Sequence, residues 1–257
     1  MGYRTASYAL YHRVRRHLAP RLVYSQRLYE DAIAQHVGAD TRWVDLGCGH
    51  QVLPAWREDA ERTLVERASL VVGLDADAPS LRKHRTIRRL AQGDISALPF
   101  AAESFDLVTL NMVVEHLDRP EVQFAEVERV LRPGGTLLLH TPNALGYLTL
   151  VNRLVPHGAS RRLARIFDGR GAGDVFPAYY RANSPHRLQR LAGRTGLTLE
   201  TARLVTSSAA FVVLPPLMLL ELLWIRLLMT KPLRPLRTNL IAVLRKPDAP
   251  LRTSRAA

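Results

Sequence analysis

Residues 42–51 read RWVDLGCGHQ, and this stretch decides the fold. Arg42 to Leu46 is an apolar run of strand length, too short for a stable helix. It runs into Gly47-Cys48-Gly49, where missing Cβ atoms let the backbone turn sharply and approach a ligand closely. A helix entered from such a turn offers its unpaired first N–H groups at the same place. Outward from here the pattern repeats. Leu70 to Leu74 is a second short apolar run, closed by Asp75, and Phe105 to Leu110 and Thr136 to His140 are two more. Residues 79–90 and 120–131 between them have helical spacing. Such alternation predicts a parallel sheet with right-handed crossovers.

Residues 8–37 predict a helix, with Leu18, Leu22, Leu28, Ile33 and Val37 on its apolar positions and Gly38 closing it. After Pro142 the rhythm breaks. Residues 143–185 mix Gly, Pro, Arg and aromatics, as an insertion over the carboxyl edge of a sheet would. A helix at 186–194, a strand at 197–205, a strongly apolar stretch at 209–229 and a last strand at 238–245 follow. This predicts one domain over 1–257: an N-terminal helical region (1–39), a core (40–141), an insertion or lid (142–194), and C-terminal strands (195–248) interrupted by 209–229.

Composition narrows the class. In 257 residues, 47% are hydrophobic and 23% charged, as in globular proteins. Disorder, collagen and coiled coil are excluded for the whole chain. Cys48 stands alone, so an internal disulfide or a cysteine-only zinc site is excluded, and no metal is expected. The start, MGYRTASYALYHRVRRH, has no apolar run before its charges, which predicts no secretory signal and a reducing, cytoplasmic setting. The net charge of +13 favours anionic partners. However, only three of the 36 basic residues are lysines, a bias that a GC-rich genome produces without any partner.

Two acids carry chemistry. Asp75, at the end of the second run, is placed to accept both hydroxyls of a ribose. The competing reading is a helix cap, which Asp77, just before Pro79, fits better. Asp94, in Gly93-Asp94-Ile95, could accept from an exocyclic amine while Ile95 covers a ring face.

The segments VDLGCGHQ, VVGLDAD, GDISALPFAAESFDLVTLNMVVEHL and EVERVLRPGGTLLLHTPN stand in this order across residues 44–143. Together they resemble the class I S-adenosylmethionine-dependent methyltransferases of the type 11 group, which includes ubiquinone- and menaquinone-pathway enzymes. The resemblance implies an α/β, Rossmann-like sheet of seven strands, the last antiparallel, with helices on both faces. It further implies an insertion after the fifth strand and an apolar helical segment between the last two. By the same resemblance Asp45, Gly47, Cys48 and Gly49 line the methionine and ribose part of S-adenosyl-L-methionine. Asp75 and Ala76 hold the ribose, Asp94 and Ile95 the adenine, and Asn111 and Met112 border the sulfonium. Gln51 departs from the family pattern, which often has a third glycine there; its side chain should narrow the turn or reach toward the methionine carboxylate. A dinucleotide-binding dehydrogenase would require G-x-G-x-x-G, and Val52 stands where its last glycine belongs.

Methyl transfer to a hydroxyl needs a base. His116, in VVEHL, is the candidate, expected to start the helix after the fourth strand; its plainer reading is a pocket wall. Glu115 reads as structural. His140, Tyr179 and Tyr180 are candidates for the acceptor pocket, the tyrosines equally for packing the insertion. The expected acceptor is a small molecule or a lipid-linked one, at the cytoplasmic membrane face, with attack through oxygen, nitrogen or carbon left open. The alternatives are an RNA methyltransferase, suggested by charge but without an RNA-binding module, and a non-catalytic, membrane-associated cofactor binder.

Residues 209–229 approach the length of a membrane span. Glu221 and Arg226 interrupt the stretch, and Pro215 and Pro216 should break its helix. Both flanks lead to strands of one sheet, so both ends must lie on one side of a bilayer. The expectation is a re-entrant or surface-lying hairpin, peripheral on the inner membrane face. It would dip Leu219, Leu223 and Trp224 into lipid, with Lys231, Arg234 and Arg237 suited to headgroups. The alternative is a buried helical pair or a dimer face.

Overall fold

β1 (Arg42–Leu46) is paired in parallel on both sides, to β2 (Leu70–Asp75) and to β4 (Phe105–Asn111). In the computed structural model, which describes residues 3–154 and 177–248, these belong to one seven-stranded sheet. The others are β3 (Arg89–Gln92), β5 (Leu131–Pro142), β6 (Thr198–Val205) and β7 (Asn239–Arg245). The order is β3-β2-β1-β4-β5-β7-β6, and β7 runs antiparallel to both its neighbours. The anticipated sheet, with its last strand reversed, is therefore present. From β1 the chain first builds outward through β2 and β3, then returns to build through β4 and β5. That switch opens a crevice at the carboxyl ends of β1 and β4, where open α/β sheets bind ligands.

Strand alternation sorts side chains to two layers. Val44, Leu46, Val108, Leu110, Leu137 and Leu139 face α5 (Pro120–Val130) and α7 (Pro185–Arg194), through Phe124, Val127, Leu188 and Leu191 among others. Trp43, Leu107 and Leu138 face the other way, against Tyr29 and Ile33 of α2 (Ser25–His36) and Leu64 of α3 (Glu58–Arg67).

Two helices differ from their expected extents. The helix over 8–37 is two helices, α1 (Tyr3–Leu18) and α2, because Pro20 has no N–H and cannot continue α1. Gly38 lies past the end of α2, its N–H on Thr41 Oγ1 at 2.8 Å. The helix over 79–90 shrinks to α4 (Ala78–Leu81), because the edge strand β3 takes Arg89 to Gln92. Asp77 does cap it, accepting from Ser80 N at 3.2 Å, with Pro79 in the first turn.

Within 209–229 the helix is α8 (Pro215–Leu228), and it is not a hairpin. Pro215 and Pro216 open the helix; in a first turn a missing N–H costs no hydrogen bond. α8 packs on α1 in a third core with Tyr11, Leu22, Met218, Leu222 and Ile225. Trp224 is half-buried, its ring 6.5 Å from that of Tyr147 on α6 (Tyr147–Leu154), so it does not belong to the outer face. Among the described residues no helix is long and apolar enough to cross a membrane. Of the expected insertion, residues 155–176 lie outside the described residues, as does the tail beyond 248.

Candidate functional site

The glycine turn after β1 is set by backbone geometry. Gly47 and Gly49 have φ of +69° and +53°, in the left-handed region that favours glycine. Gly47 and Cys48 donate to the Leu74 carbonyl at 2.7 and 3.1 Å, which stitches the turn to the end of β2. A Cβ on Gly47 would lie 2.4 Å from Val113 Cγ2, whereas one on Gly49 would meet nothing within 4 Å. Space over Gly49 is thus left for a ligand. Beside it, Asp75 Oδ2 accepts from Gly49 N and Oδ1 from Asp77 N, both at 2.8 Å. These bonds fix the carboxylate, and each oxygen keeps a further lone pair for an incoming hydroxyl. Ala76 and Asp94 are exposed and Ile95 half-buried at the ends of β2 and β3; Asp94 Oδ1 accepts from Ser96 N at 2.7 Å. The sequence-derived rim from Gly47 to Ile95 therefore comes together along one edge.

Two expected residues lie beneath that rim instead, Asp45 and Cys48. Asp45 is only 2% exposed and takes its hydrogen bond from the Thr109 hydroxyl, which in turn accepts from Trp43 Nε1 at 2.7 Å. Burial pushes its pKa up to about 7 against the lowering effect of Thr109, with Glu61 and Asp75 adding to the rise. The Cys48 thiol is turned onto the bare backbone of Gly73, where a Cβ would sit 2.8 Å from Sγ. Burial, then Asp45, raises the thiol's pKa far above its ordinary value, so Cys48 offers the ligand its backbone and not its sulfur.

His140 is the clearest correction to the acceptor pocket. It is 1% exposed, and burial lowers its pKa to about 3, so it is neutral. Asn239 Nδ2 donates to Nε2 at 3.1 Å, which assigns the proton to Nδ1, 2.9 Å from Asn111 Oδ1. With both nitrogens engaged and its ring tilted over Tyr29, His140 orients Asn111 and does not line a pocket. Asn111 also donates to the Val52 carbonyl at 3.1 Å and accepts from Gln26 Nε2 at 3.4 Å. Sequence reasoning missed Gln26, since nothing in the helical pattern of α2 marks it. Met112 follows at φ +57° with its N–H on the His140 carbonyl. The Gln51 side chain is engaged by Arg85, its Oε1 accepting from Arg85 Nη2 at 3.0 Å.

On the acceptor side, His116 ends a 3-10 turn, Val114–His116, and the helix α5 starts only at Pro120. His116 Nδ1 is 2.8 Å from the Pro177 carbonyl and donates to it, and Nε2 lies 3.9 Å from Glu115 Oε1. Glu115 is the bracket of this corner. Its carboxylate accepts from Thr141 Oγ1 at 2.9 Å, and its carbonyl from Tyr179 N and Tyr180 N at 2.7 and 3.1 Å. Asn183 completes it, donating to Thr141 Oγ1 at 2.6 Å and to the Pro142 carbonyl at 3.1 Å. Tyr180 is held at φ +52°, its ring under the Arg153 guanidinium at 4.9 Å; burial, then Glu115, raises its pKa. Tyr179 is exposed beneath Arg181. The corner thus joins His116 to both tyrosines, although 61 or more residues separate them.

A fixed carboxylate for a diol, clearance over Gly49, an acid and an aliphatic side chain at the outer end, and Asn111 with Met112 at the inner end suit S-adenosylmethionine. Residues 44–139 match the family model described as "Methyltransferase domain". A fatty-acid O-methyltransferase of Mycolicibacterium smegmatis is 36% identical over 121 residues, 45% of this chain and 42% of that protein. A malonyl-[acyl-carrier protein] O-methyltransferase of Methylovorus is 32% identical over 146 residues, 51% of this chain and 47% of that protein. The chain thus spans less than half the length of these curated relatives. An S-adenosylmethionine-dependent methyltransferase structure from Mesorhizobium loti superposes with a TM-score of 0.54 at 19% identity, over 84% of this chain and 95% of that one; it shares the fold.

Proposed function

We propose, on the premise that the chain carries a class I S-adenosylmethionine-dependent methyltransferase domain of the type 11 group, that it methylates an apolar small-molecule or lipid-linked acceptor. The observation that carries this reading is the continuous rim of Gly47, Gly49, Asp75, Asp94 and Asn111 at the switch point of the sheet. When bound, the cofactor supplies a methyl group on a sulfonium, whose departure needs no acid. The protein's part is then mainly positioning. Asp75 fixes the ribose end, and Asn111, itself held by His140 and Gln26, borders the reacting end. For a hydroxyl acceptor, His116 Nε2 takes the proton; an ionised carboxylate needs no base. The fatty-acid and acyl-carrier substrates named for the relatives support an acyl acceptor without fixing which one.

The test begins with calorimetry of S-adenosylmethionine binding, followed by transfer of labelled methyl to hydroxylated lipids and free fatty acids. With a hydroxyl acceptor, His116→Ala should lower kcat by about 10²–10⁴ and leave cofactor affinity intact. With a carboxylate acceptor the same change should cost little. No cofactor binding at all would overturn the reading.

A further inference from the structure

Apart from Glu221 and Arg226, the helix α8 is apolar, although only one side of it is covered. Met218, Leu222, Ile225 and Leu228 are buried. On the opposite side Leu217, Leu219, Leu220, Leu223 and Leu227 are exposed, Leu220 by 63% and Leu227 by 51%. A surface helix ordinarily carries polar residues there, and contiguous exposed apolar surface marks an interaction site. Leu220, Leu223 and Leu227 stand at i, i+3 and i+7, so they form one stripe.

Glu221, which interrupts the stretch in the sequence, does not interrupt this face. It is buried and accepts from Ala210 N and Phe211 N, both at 2.9 Å, and from the Tyr147 hydroxyl at 2.6 Å. From Leu222 to Pro247 the sequence contains no other acid, and α1, against which α8 packs, has none in Tyr3–Leu18. Exposed cations occur on the same elements instead: Arg226 in α8, Lys231 and Arg234 just after it, and Arg13 and Arg16 on α1. Tyr3 and Tyr8 of α1 are also exposed, the residue type favoured where apolar matter meets water.

From this geometry we infer that the outer face of α8, with α1 beside it, docks onto a bilayer surface carrying anionic headgroups. A bilayer meets both features at once: acyl chains receive the leucines, and headgroups receive the cations. A second copy of the chain does not. A two-fold contact sets each patch against its own like, which would bring cations together with no exposed acid to match them. Nor does the helix cross the membrane. It has 14 residues, and β6 and β7, to which its flanks lead, pair antiparallel with Val205 opposite Asn239, so both flanks return to one end of the sheet. Through the Tyr147–Glu221 bond the face is tied to α6, which follows the carboxyl end of β5. This inference stands whether or not the methyl-transfer reading holds.

The experiment is flotation of the full chain with vesicles of phosphatidylcholine alone and with added phosphatidylglycerol. The wild type should float with the anionic vesicles and be released only partly by high salt, which screens the arginines and lysine but not the leucines. Leu220→Ser, Leu223→Ser and Leu227→Ser together should weaken binding by about tenfold or more, with an unchanged melting temperature, because these side chains are exposed in the free protein. Leu220→Asp alone, at the most exposed position, should act in the same direction should the triple variant fold poorly. Arg13→Gln, Arg16→Gln and Lys231→Gln together should remove most of the preference for anionic vesicles. A wild-type protein that stays at the bottom with anionic vesicles overturns the inference. So does equal flotation of folded leucine variants, or a concentration-dependent dimer that the leucine changes dissociate.

Discussion

Asp75 and Asp45 show how far residue type alone misleads. Both belong to the recognised motifs, yet one carboxylate sits on the rim with two backbone donors and the other lies under the sheet beneath Thr109. Asp75→Asn should therefore weaken S-adenosylmethionine binding by about 2–4 kcal/mol, since charge-assisted bonds to the ribose are lost. Because the same carboxylate secures the Gly49 and Asp77 N–H groups, the melting temperature must be read beside the calorimetry. Lost affinity with a retained melting temperature assigns Asp75 to the ligand. Unchanged affinity in the variant places the ribose elsewhere.

Among the elements, α8 depends on one polar residue. Glu221 holds the 210–211 turn at the start of the helix and joins it to α6 through Tyr147, whose pKa burial, then Glu221, raises. Glu221→Ala leaves two backbone donors and a phenol without their acceptor, which should cost on the order of 3 kcal/mol in denaturant unfolding. Glu221→Gln keeps one acceptor oxygen and should cost less. If Glu221→Ala is as stable as the wild type, the bracket is redundant and the inward turn of Glu221 has another cause.

In the whole molecule, buried histidines and a buried acid pull the pH response in opposite directions. Burial holds His140 at a folded pKa of about 3 and His84 at about 4, against an ordinary 6.5. As pH falls from 6.5 toward 3, the unfolded chain takes up protons that the folded chain refuses, and stability is lost. Asp45 has a folded pKa of about 7 against an ordinary 3.8. As pH rises from 3.8 toward 7, the unfolded chain releases a proton that the folded chain keeps, and stability is again lost. Each group's slope is up to about 1.4 kcal/mol per pH unit, so between pH 4 and 6.5 Asp45 offsets about one of the two histidines. Across that window the cofactor-free wild type should lose stability on acidification, Asp45→Asn should lose it more steeply, and His140→Gln should be nearly flat, with His84 and Asp45 opposed. Unfolding curves at two pH values inside the window compare the slopes, and a His140→Gln slope as steep as that of Asp45→Asn would show that the shifts are not as assigned.

The sequence by itself determined the parallel part of the sheet and most of the rim, because short apolar runs ending at Gly47, Asp75 and Asn111 are local signals, whereas the reversed last strand followed only from the family resemblance. Alternation also sorts their side chains without reference to distant residues. It even placed the cap at Asp77, a contact across three residues. Boundaries that depend on competition were less legible: Pro20 splits a pattern that periodicity alone had joined, and β3 gains its residues only by pairing with β2. What the tertiary structure decided is orientation. Whether Asp45, Cys48 and His140 face the ligand or the core depends on Thr109, Gly73 and Asn239, up to 99 residues away. The same holds for Glu221, whose inward turn leaves the outer face of α8 without an acid. A buried polar group must find its partners wherever the fold brings them, and no local pattern records where those partners will be.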